Sequence, residues 1–351
     1  MSAIPSRPTE TALTRHRRLS YRRARPGGKG WGAGTPLAGT SQAGAVAIVG
    51  AGSIGTGWAV VFATAGHPVR LYDTAANRLR AAADEIAARV DDLRACGLCA
   101  EPRASVVGRV AAVTDLAAAV AGAVHVQECT PELPELKRRL FAELDALAPP
   151  GCPIASSSSF MPASRFAAGL PGRSRCLVVH PGNPPFLLRV AEVVPAPFTA
   201  PETVERTEAL LRRADMAPVR VAKEVEGFVF NRLQGAMLRE AYCLVRDGVA
   251  SVEDIDRVVR DGLGLRWAAI GPFETVDLNT RGGIAAHAER MGPSYARMGA
   301  ERGQDDPWTP ELVAEGEAQR RAVLPLDEWA ERVAWRDRLV MALLRARQGN
   351  R

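Results

Sequence analysis

Residues Val46-Ala47-Ile48-Val49-Gly50-Ala51-Gly52-Ser53-Ile54-Gly55 constrain the fold more than any other stretch of the chain. A β-branched run enters a Gly-x-Gly-x-x-Gly turn, and residues 57–65 then read as a helix. Gly50 permits the tight turn, Gly52 lets backbone N–H groups approach a pyrophosphate, and Gly55 lets the helix pack on the strand. The phosphates then sit at the positive end of that helix, against the backbone of Ser53 and Ile54. A second strand, 69–72, ends in Asp73, 18 residues after Gly55. A carboxylate there bonds the adenosine ribose hydroxyls and repels a 2′-phosphate. Thr74, Ala75 and Ala76 supply no arginine to receive such a phosphate, so the expected cofactor is NAD rather than NADP. The competing reading of Asp73 is a simple cap of the next helix.

With 351 residues the chain has room for about two domains, and its 47% hydrophobic and 24% charged content is that of a globular protein. Apolar runs fall far short of the roughly 18–20 residues needed to cross a bilayer, so no membrane partner is expected. The net charge of +6 is concentrated at one end: residues 1–44 hold eight Lys or Arg against Glu10 alone, leaving the remainder at about −1. The body carries no basic footprint, which excludes nucleic acid as a partner. The tail itself, rich in Gly, Pro, Ser and Thr, reads as a disordered basic extension. An extended or misassigned start fits it better than a transit peptide. The six cysteines show no disulfide-framework spacing. Cys96-Gly-Leu-Cys99 lacks a second pair or a histidine at ligand spacing, so it reads as coincidence and no metal site is expected. A reducing, cytoplasmic location fits this cysteine usage.

After the tail, strands at 45–49, 69–72, 107–112, 124–128, 153–156, 176–179, 190–194 and 218–222 alternate with helical segments, notably 75–95, 132–147 and 201–213. That pattern predicts an α/β fold, a Rossmann-type doubly wound, mostly parallel sheet over 45–224. From about Glu226 strand-like runs vanish. Helical periodicity over 226–246, 251–261, 270–290, 310–322 and 326–347 predicts a smaller all-helical domain, 225–351. In the last segment Trp329, Val333, Leu339, Val340, Leu343 and Leu344 recur at helical spacing and are expected to close a core or a dimer interface.

Position sorts the five histidines. His16 lies in the tail, His67 in a turn, His125 between valines inside a strand, and His287 on a late helix. His180 follows the strand Cys176–Val179 at its carboxyl end, where open α/β sheets bind ligands. Twelve residues on, Glu192 interrupts the apolar strand Val190–Val194. Left unpaired, a carboxylate there is costly, so it needs a partner. A histidine held by a carboxylate is what a general base requires, although a purely structural ion pair has the same residues. The serines of Ala155–Ser159 end a neighbouring strand, and Asn231 opens the helical domain near the cleft.

Together these residues resemble the 3-hydroxyacyl-CoA dehydrogenase family over essentially the whole chain after residue 44. The shared elements are the glycine turn, Asp73, Glu128-x-x-x-Glu132 with Lys137, the serine cluster, His180 with Glu192, and Lys223-x-x-x-Gly227-Phe-x-x-Asn231-Arg232. The resemblance implies that His180 and Glu192 form the catalytic dyad. It implies that Ser159 and Asn231 bond the reacting oxygen or the histidine, and that Glu128 and Lys137 contact the nicotinamide half of NAD. The implied reaction removes the proton of a secondary 3-hydroxyl while hydride leaves for the nicotinamide.

His180-Pro-x-Asn-Pro-Pro185, Gly262-Leu-Gly-Leu-Arg266-Trp267, Ile270-Gly-Pro-Phe-Glu274 and Trp335-Arg336-Asp337 are similar to the lambda-crystallin, or L-gulonate 3-dehydrogenase, branch. Residues 74–105 carry five arginines, no lysine and five acids, a poor anion cradle for a CoA carrier. A small free 3-hydroxy acid is therefore expected, its carboxylate held by Arg266. Gly182 and Arg189 depart from that branch beside His180. The alternatives are a 3-hydroxyacyl-CoA ester and L-carnitine, whose trimethylammonium group would want an aromatic wall of Phe186, Trp267 and Phe273. A crystallin-like, non-catalytic NAD-binding protein is the reading from another class. A homodimer through the helical half is expected.

Overall fold

The computed structural model describes residues 44–302, except 269, 281 and 282, together with residue 311 and parts of 325–346. Residues 1–43 of the basic extension, the 310–322 segment apart from Glu311, and Trp329, Val333, Trp335, Arg336, Leu339 and Val340 lie outside the described residues. Strands β1 (Val46–Val49), β2 (Val69–Tyr72), β3 (Val110–Val113), β4 (His125–Glu128), β5 (Ile154–Ser156), β6 (Cys176–Pro181), β7 (Val190–Pro195) and β8 (Ala217–Arg220) form one sheet in the order β3-β2-β1-β4-β5-β6-β7-β8. All pairings are parallel except β6 with β7. Helices α1 (Ser53–Thr64), α2 (Ala76–Ala95), α3 (Arg103–Val107), α4 (Leu116–Val120), α5 (Pro134–Leu147), α6 (Ser164–Ala167) and α7 (Pro201–Arg213) occupy the connections. α5 and α7 each begin on a proline followed by a glutamate, and α7 ends in two arginines, so both agree with the helix dipole.

Both faces of the sheet are covered, and the strand residues divide between them with period two. Val46, Ile48, Leu177 and Val179 join Trp58 and Phe62 of α1 in one core. Ala47, Val49, Cys176 and Val178 join Phe141 and Leu144 of α5 in the other. His125 is fully buried between these layers, a core histidine with its Nε2 3.1 Å from Gln127 Oε1.

β8 leads into α8 (Phe230–Arg246), α9 (Val252–Arg257), a π-helical turn over 258–263, α10 (Gly264–Trp267), α11 (Pro272–Asn279) and α12 (Gly283–Arg302). Three differences from the sequence expectation have local causes. β3 starts at 110 because residues 103–107 coil into α3. α8 starts at Phe230, not 226, because Gly227 and Phe228 both adopt left-handed backbone angles (φ 73 and 47°). The expected 270–290 helix is two helices, broken where Thr280 is extended and Gly283 takes φ 74°. The final described residues return to the first unit: Met341 is buried in the α1/α2 core, Leu344 packs against it, and an Arg345 Nη donates to Cys96 O at 2.8 Å. Of the amphipathic last segment, Leu344 thus packs on a core, whereas Leu343 is 46% exposed.

Candidate active site

The glycine turn is built for a dinucleotide. Gly50 has φ 105°, and a Cβ there would come within 2.9 Å of the Cys129 backbone. A Cβ on Gly55 would strike Gly50 O at 1.8 Å, so these two glycines are required by packing. At Gly52 a Cβ would meet nothing within 4 Å. It would project instead into a cleft of about 690 Å³ lined by Gly50, Gly52, Ser53, Ile54, Asp73 and Thr130. Gly52 is the N-cap of α1, leaving the N–H groups of the first turn open to anionic oxygens. Asp73 Oδ2 accepts from Ala51 N at 2.9 Å and Oδ1 from Ala75 N at 2.9 Å. The carboxylate is thereby fixed at the β2 end of the cleft, where ribose hydroxyls belong. The residues present fit NAD.

His180 and Glu192 face each other as cross-strand partners in the antiparallel β6/β7 pair. His180 Nδ1 lies 2.8 Å from Glu192 Oε2, and both side chains are nearly buried. The other carboxylate oxygen, Oε1, accepts from Val229 N at 2.7 Å and Phe230 N at 2.9 Å, the start of α8. Burial alone would raise the Glu192 pKa. The hydrogen bonds from His180, Phe230 and Val229 outweigh it and hold the carboxyl below its ordinary value. Phe228, with its left-handed backbone, turns the chain so that those two amides point at Glu192. Strain of about 1–3 kcal/mol is typical of such a conformation. The rings of Phe228 and Phe230 stand 5.8 and 6.1 Å from the imidazole and wall it in. A carboxylate on Nδ1 leaves Nε2 as the nitrogen able to take a proton.

The serine cluster is held from below by two carboxylates. Glu128, fully buried, accepts from Lys137 Nζ at 2.7 Å and Ser156 Oγ at 2.6 Å. Lys137 is itself 1% exposed, so this pair meets its neighbours and the end of β4 rather than an open surface. Glu132 accepts from Ser158 Oγ and from the backbone of Ser159 (3.1 Å), Phe160 (2.9 Å) and Met161 (2.6 Å). Burial works against its charge, and the Ser158 hydroxyl with the three amides keeps its pKa low. Ser159 is thus pinned through its backbone. Asn231 Nδ2 donates to Ser159 O at 3.1 Å, joining the serine turn to α8.

Other expectations are redistributed. Arg266 is exposed on α10, a helix in contact with the 258–263 turn and α11, and it lines none of the described cavities. Arg189 does not reach toward the substrate side: its Nε donates to Phe186 O at 3.0 Å and an Nη to Ala214 O at 3.2 Å, closing the end of α7. Phe186 is buried with Arg89 over its ring, whereas Phe273 is 77% exposed, so these two do not form one wall. Next to Asn231 a groove of about 610 Å³ is lined by Phe160, Glu226, Gly235, Arg232 and Arg239. Sequence reasoning gave Glu132 no role and passed over Arg239. Arg239 stands eight residues after Asn231, on the same side of a helix, which is the signal that finds it.

Comparison with known proteins agrees with this geometry. Residues 45–225 match the NAD-binding domain of 3-hydroxyacyl-CoA dehydrogenase and residues 227–325 its C-terminal domain. A lambda-crystallin homolog of Bos taurus is 43% identical over 316 residues, 87% of this chain and 96% of that protein. An L-carnitine dehydrogenase of Streptomyces coelicolor is 38% identical, covering 86% and 94%. Among solved structures, 5-formyl-3-hydroxy-2-methylpyridine 4-carboxylic acid 5-dehydrogenase, an NAD+-dependent dismutase, superposes with a TM-score of 0.76 at 30% identity, covering 87% and 98%. An NAD cleft, a buried histidine–carboxylate pair and similarity over 87% of the chain converge on one statement: this chain is an NAD-dependent oxidoreductase that belongs to the 3-hydroxyacyl-CoA dehydrogenase family, on its lambda-crystallin branch.

Proposed function

We propose that this enzyme oxidises the 3-hydroxyl of a small free 3-hydroxy acid, L-gulonate-like, with His180 as general base. The observation that carries the reading is the 2.8 Å contact from His180 Nδ1 to a Glu192 carboxylate whose other oxygen is occupied by two backbone amides. Held this way, the imidazole keeps its proton on Nδ1 and receives the hydroxyl proton on Nε2. Glu192 stabilises the imidazolium that results. Ser159 and Asn231, linked at 3.1 Å, orient the oxygen as the carbonyl forms. NAD, when bound, accepts the hydride from C3. Glu128 and Lys137 brace the end of β4 and through it would support the nicotinamide half of the cofactor. In the reverse direction His180 is the acid.

Two observations favour a free acid over a CoA ester. In the 74–105 excursion, Arg78, Arg89 and Arg103 are engaged by Glu85 or Asp91, leaving little positive field for a phosphorylated carrier. In the groove beside Asn231, two guanidinium groups, Arg232 and Arg239, face one acid, Glu226. The deciding assay follows NADH formation with L-gulonate, L-carnitine, 3-hydroxybutyrate and 3-hydroxybutyryl-CoA. Preference for L-gulonate or another free acid supports the proposal, and turnover of the CoA ester alone overturns it.

The helical half exposes Leu233, Val258, Leu265, Phe273 and Leu278, each more than 60% accessible, which supports a homodimer through that half. Sedimentation of the full chain as a monomer would refute it. None of the six cysteines forms a disulfide, which supports a reducing, cytoplasmic setting.

A further inference from the structure

Arg78, in the first turn of α2, lines the cofactor cleft beside Asp73 and Thr74. A guanidinium near the ribose is the group that a 2′-phosphate binds, so its presence in an NAD enzyme requires an explanation. The structure supplies one. Arg78 Nε donates to Ala51 O at 2.7 Å, while its two Nη atoms grip Glu85 Oε1 at 2.6 Å and Oε2 at 2.8 Å. Glu85, seven residues further along α2, also accepts from Thr56 Oγ1 at 3.4 Å and lies 3.9 Å from Arg89. Both Nη atoms of Arg78 are thus engaged by Glu85. Arg78 holds the Glu85 carboxyl below its ordinary value despite partial burial, so the clamp stays charged at neutral pH.

We propose that Glu85 is a second determinant of cofactor choice, keeping Arg78 from the 2′ position so that NADP is refused both by the charge of Asp73 and by a withheld guanidinium. The inference rests on the assignment of this cleft to NAD. It has a specific consequence. Replacing Asp73 alone removes the repulsion yet leaves a 2′-phosphate without a ligand, because Arg78 remains clamped. Replacing Glu85 as well frees a bidentate donor within reach of that phosphate.

The test is fluorescence titration of NADH and NADPH into the full-length protein without substrate, alongside kcat/KM for both oxidised cofactors. Asp73→Ser should reduce the preference for NADH. Asp73→Ser/Glu85→Gln should then bind NADPH at least tenfold more tightly than Asp73→Ser, and adding Arg78→Ala should abolish that gain. A double variant that binds NADPH no better than Asp73→Ser, or a triple variant that keeps the gain, overturns the proposal. Asp73→Ser/Arg78→Ala provides an arm that leaves Glu85 intact. It should bind NADPH as Asp73→Ser does, since a clamped Arg78 contributes nothing, and a marked loss of affinity there also overturns the proposal. Wild-type protein that binds NADPH as tightly as NADH would instead refute the NAD assignment itself.

Discussion

Glu192→Gln is the most informative single substitution, because one carboxylate does two jobs that respond differently to it. Toward His180, in the proposed mechanism, it fixes the tautomer and stabilises the imidazolium, and a neutral amide does neither reliably. General acid–base catalysis contributes about 10²–10⁴-fold. A fall in kcat of that size, roughly 3–5 kcal/mol in barrier, is expected with KM little changed. Toward α8, Oε1 accepts two amide bonds at 2.7 and 2.9 Å. An amide oxygen retains that geometry but loses the charge, which costs about 1–3 kcal/mol of stability. The pH dependence has a definite sign. The folded pKa of Glu192 is depressed, so its contribution is fully present above the unfolded carboxylate value of about 4.3 and is lost as pH falls through the folded value. Wild type and variant should therefore differ in denaturant midpoint at neutral pH and converge below about pH 4. Steady-state kinetics and chemical denaturation of Glu192→Gln, His180→Ala and the double variant make the measurement. Because the two residues act as one unit, the double variant should be no slower than His180→Ala. Multiplicative losses in the double variant, or a Glu192→Gln enzyme within threefold of wild type in kcat, would refute the dyad.

Lys137→Met strands the buried Glu128 charge and should cost about 3–5 kcal/mol, read as a drop in Tm; Lys137→Met/Glu128→Leu should recover most of it. Gly50→Ala and Gly52→Ala should separate folding from binding. The first, at φ 105° against the Cys129 backbone, lowers Tm, whereas the second leaves Tm unchanged and raises the NADH Kd, as titration will show. Arg239→Ala should raise KM for a free 3-hydroxy acid by about tenfold with little change in kcat, the signature of uniform binding, while Arg266→Ala, outside the groove, sets the baseline for losing a surface arginine.

Much of this protein was readable where an element explains itself. A buried parallel strand must be apolar on both faces, so 45–49 and 176–179 announced themselves, and the turn after β1 had one chemically sensible use. The pairing of His180 with Glu192 was legible for the same reason: twelve residues is enough for a strand to reverse, and a lone acid in an apolar strand has to find a partner. What escaped reading depends on partners supplied from elsewhere. Glu132 receives its four hydrogen bonds from residues 26–29 positions away, and Arg345 docks 249 residues from its acceptor. Arg78 stands just beyond Thr74, Ala75 and Ala76 in sequence, and only the fold shows that Glu85 occupies it. The start of α8 was misjudged because a left-handed phenylalanine is something that no propensity assigns. That conformation has a physical use, since it aims the Val229 and Phe230 amides at the carboxylate that also holds His180. Glu192 is therefore a joint between sheet and helical unit, beside the Asn231–Ser159 bond, as well as the partner of the proposed base. A shift of α8 against the sheet must be felt at Glu192 and, through it and the Phe228 and Phe230 rings, at the imidazole of His180.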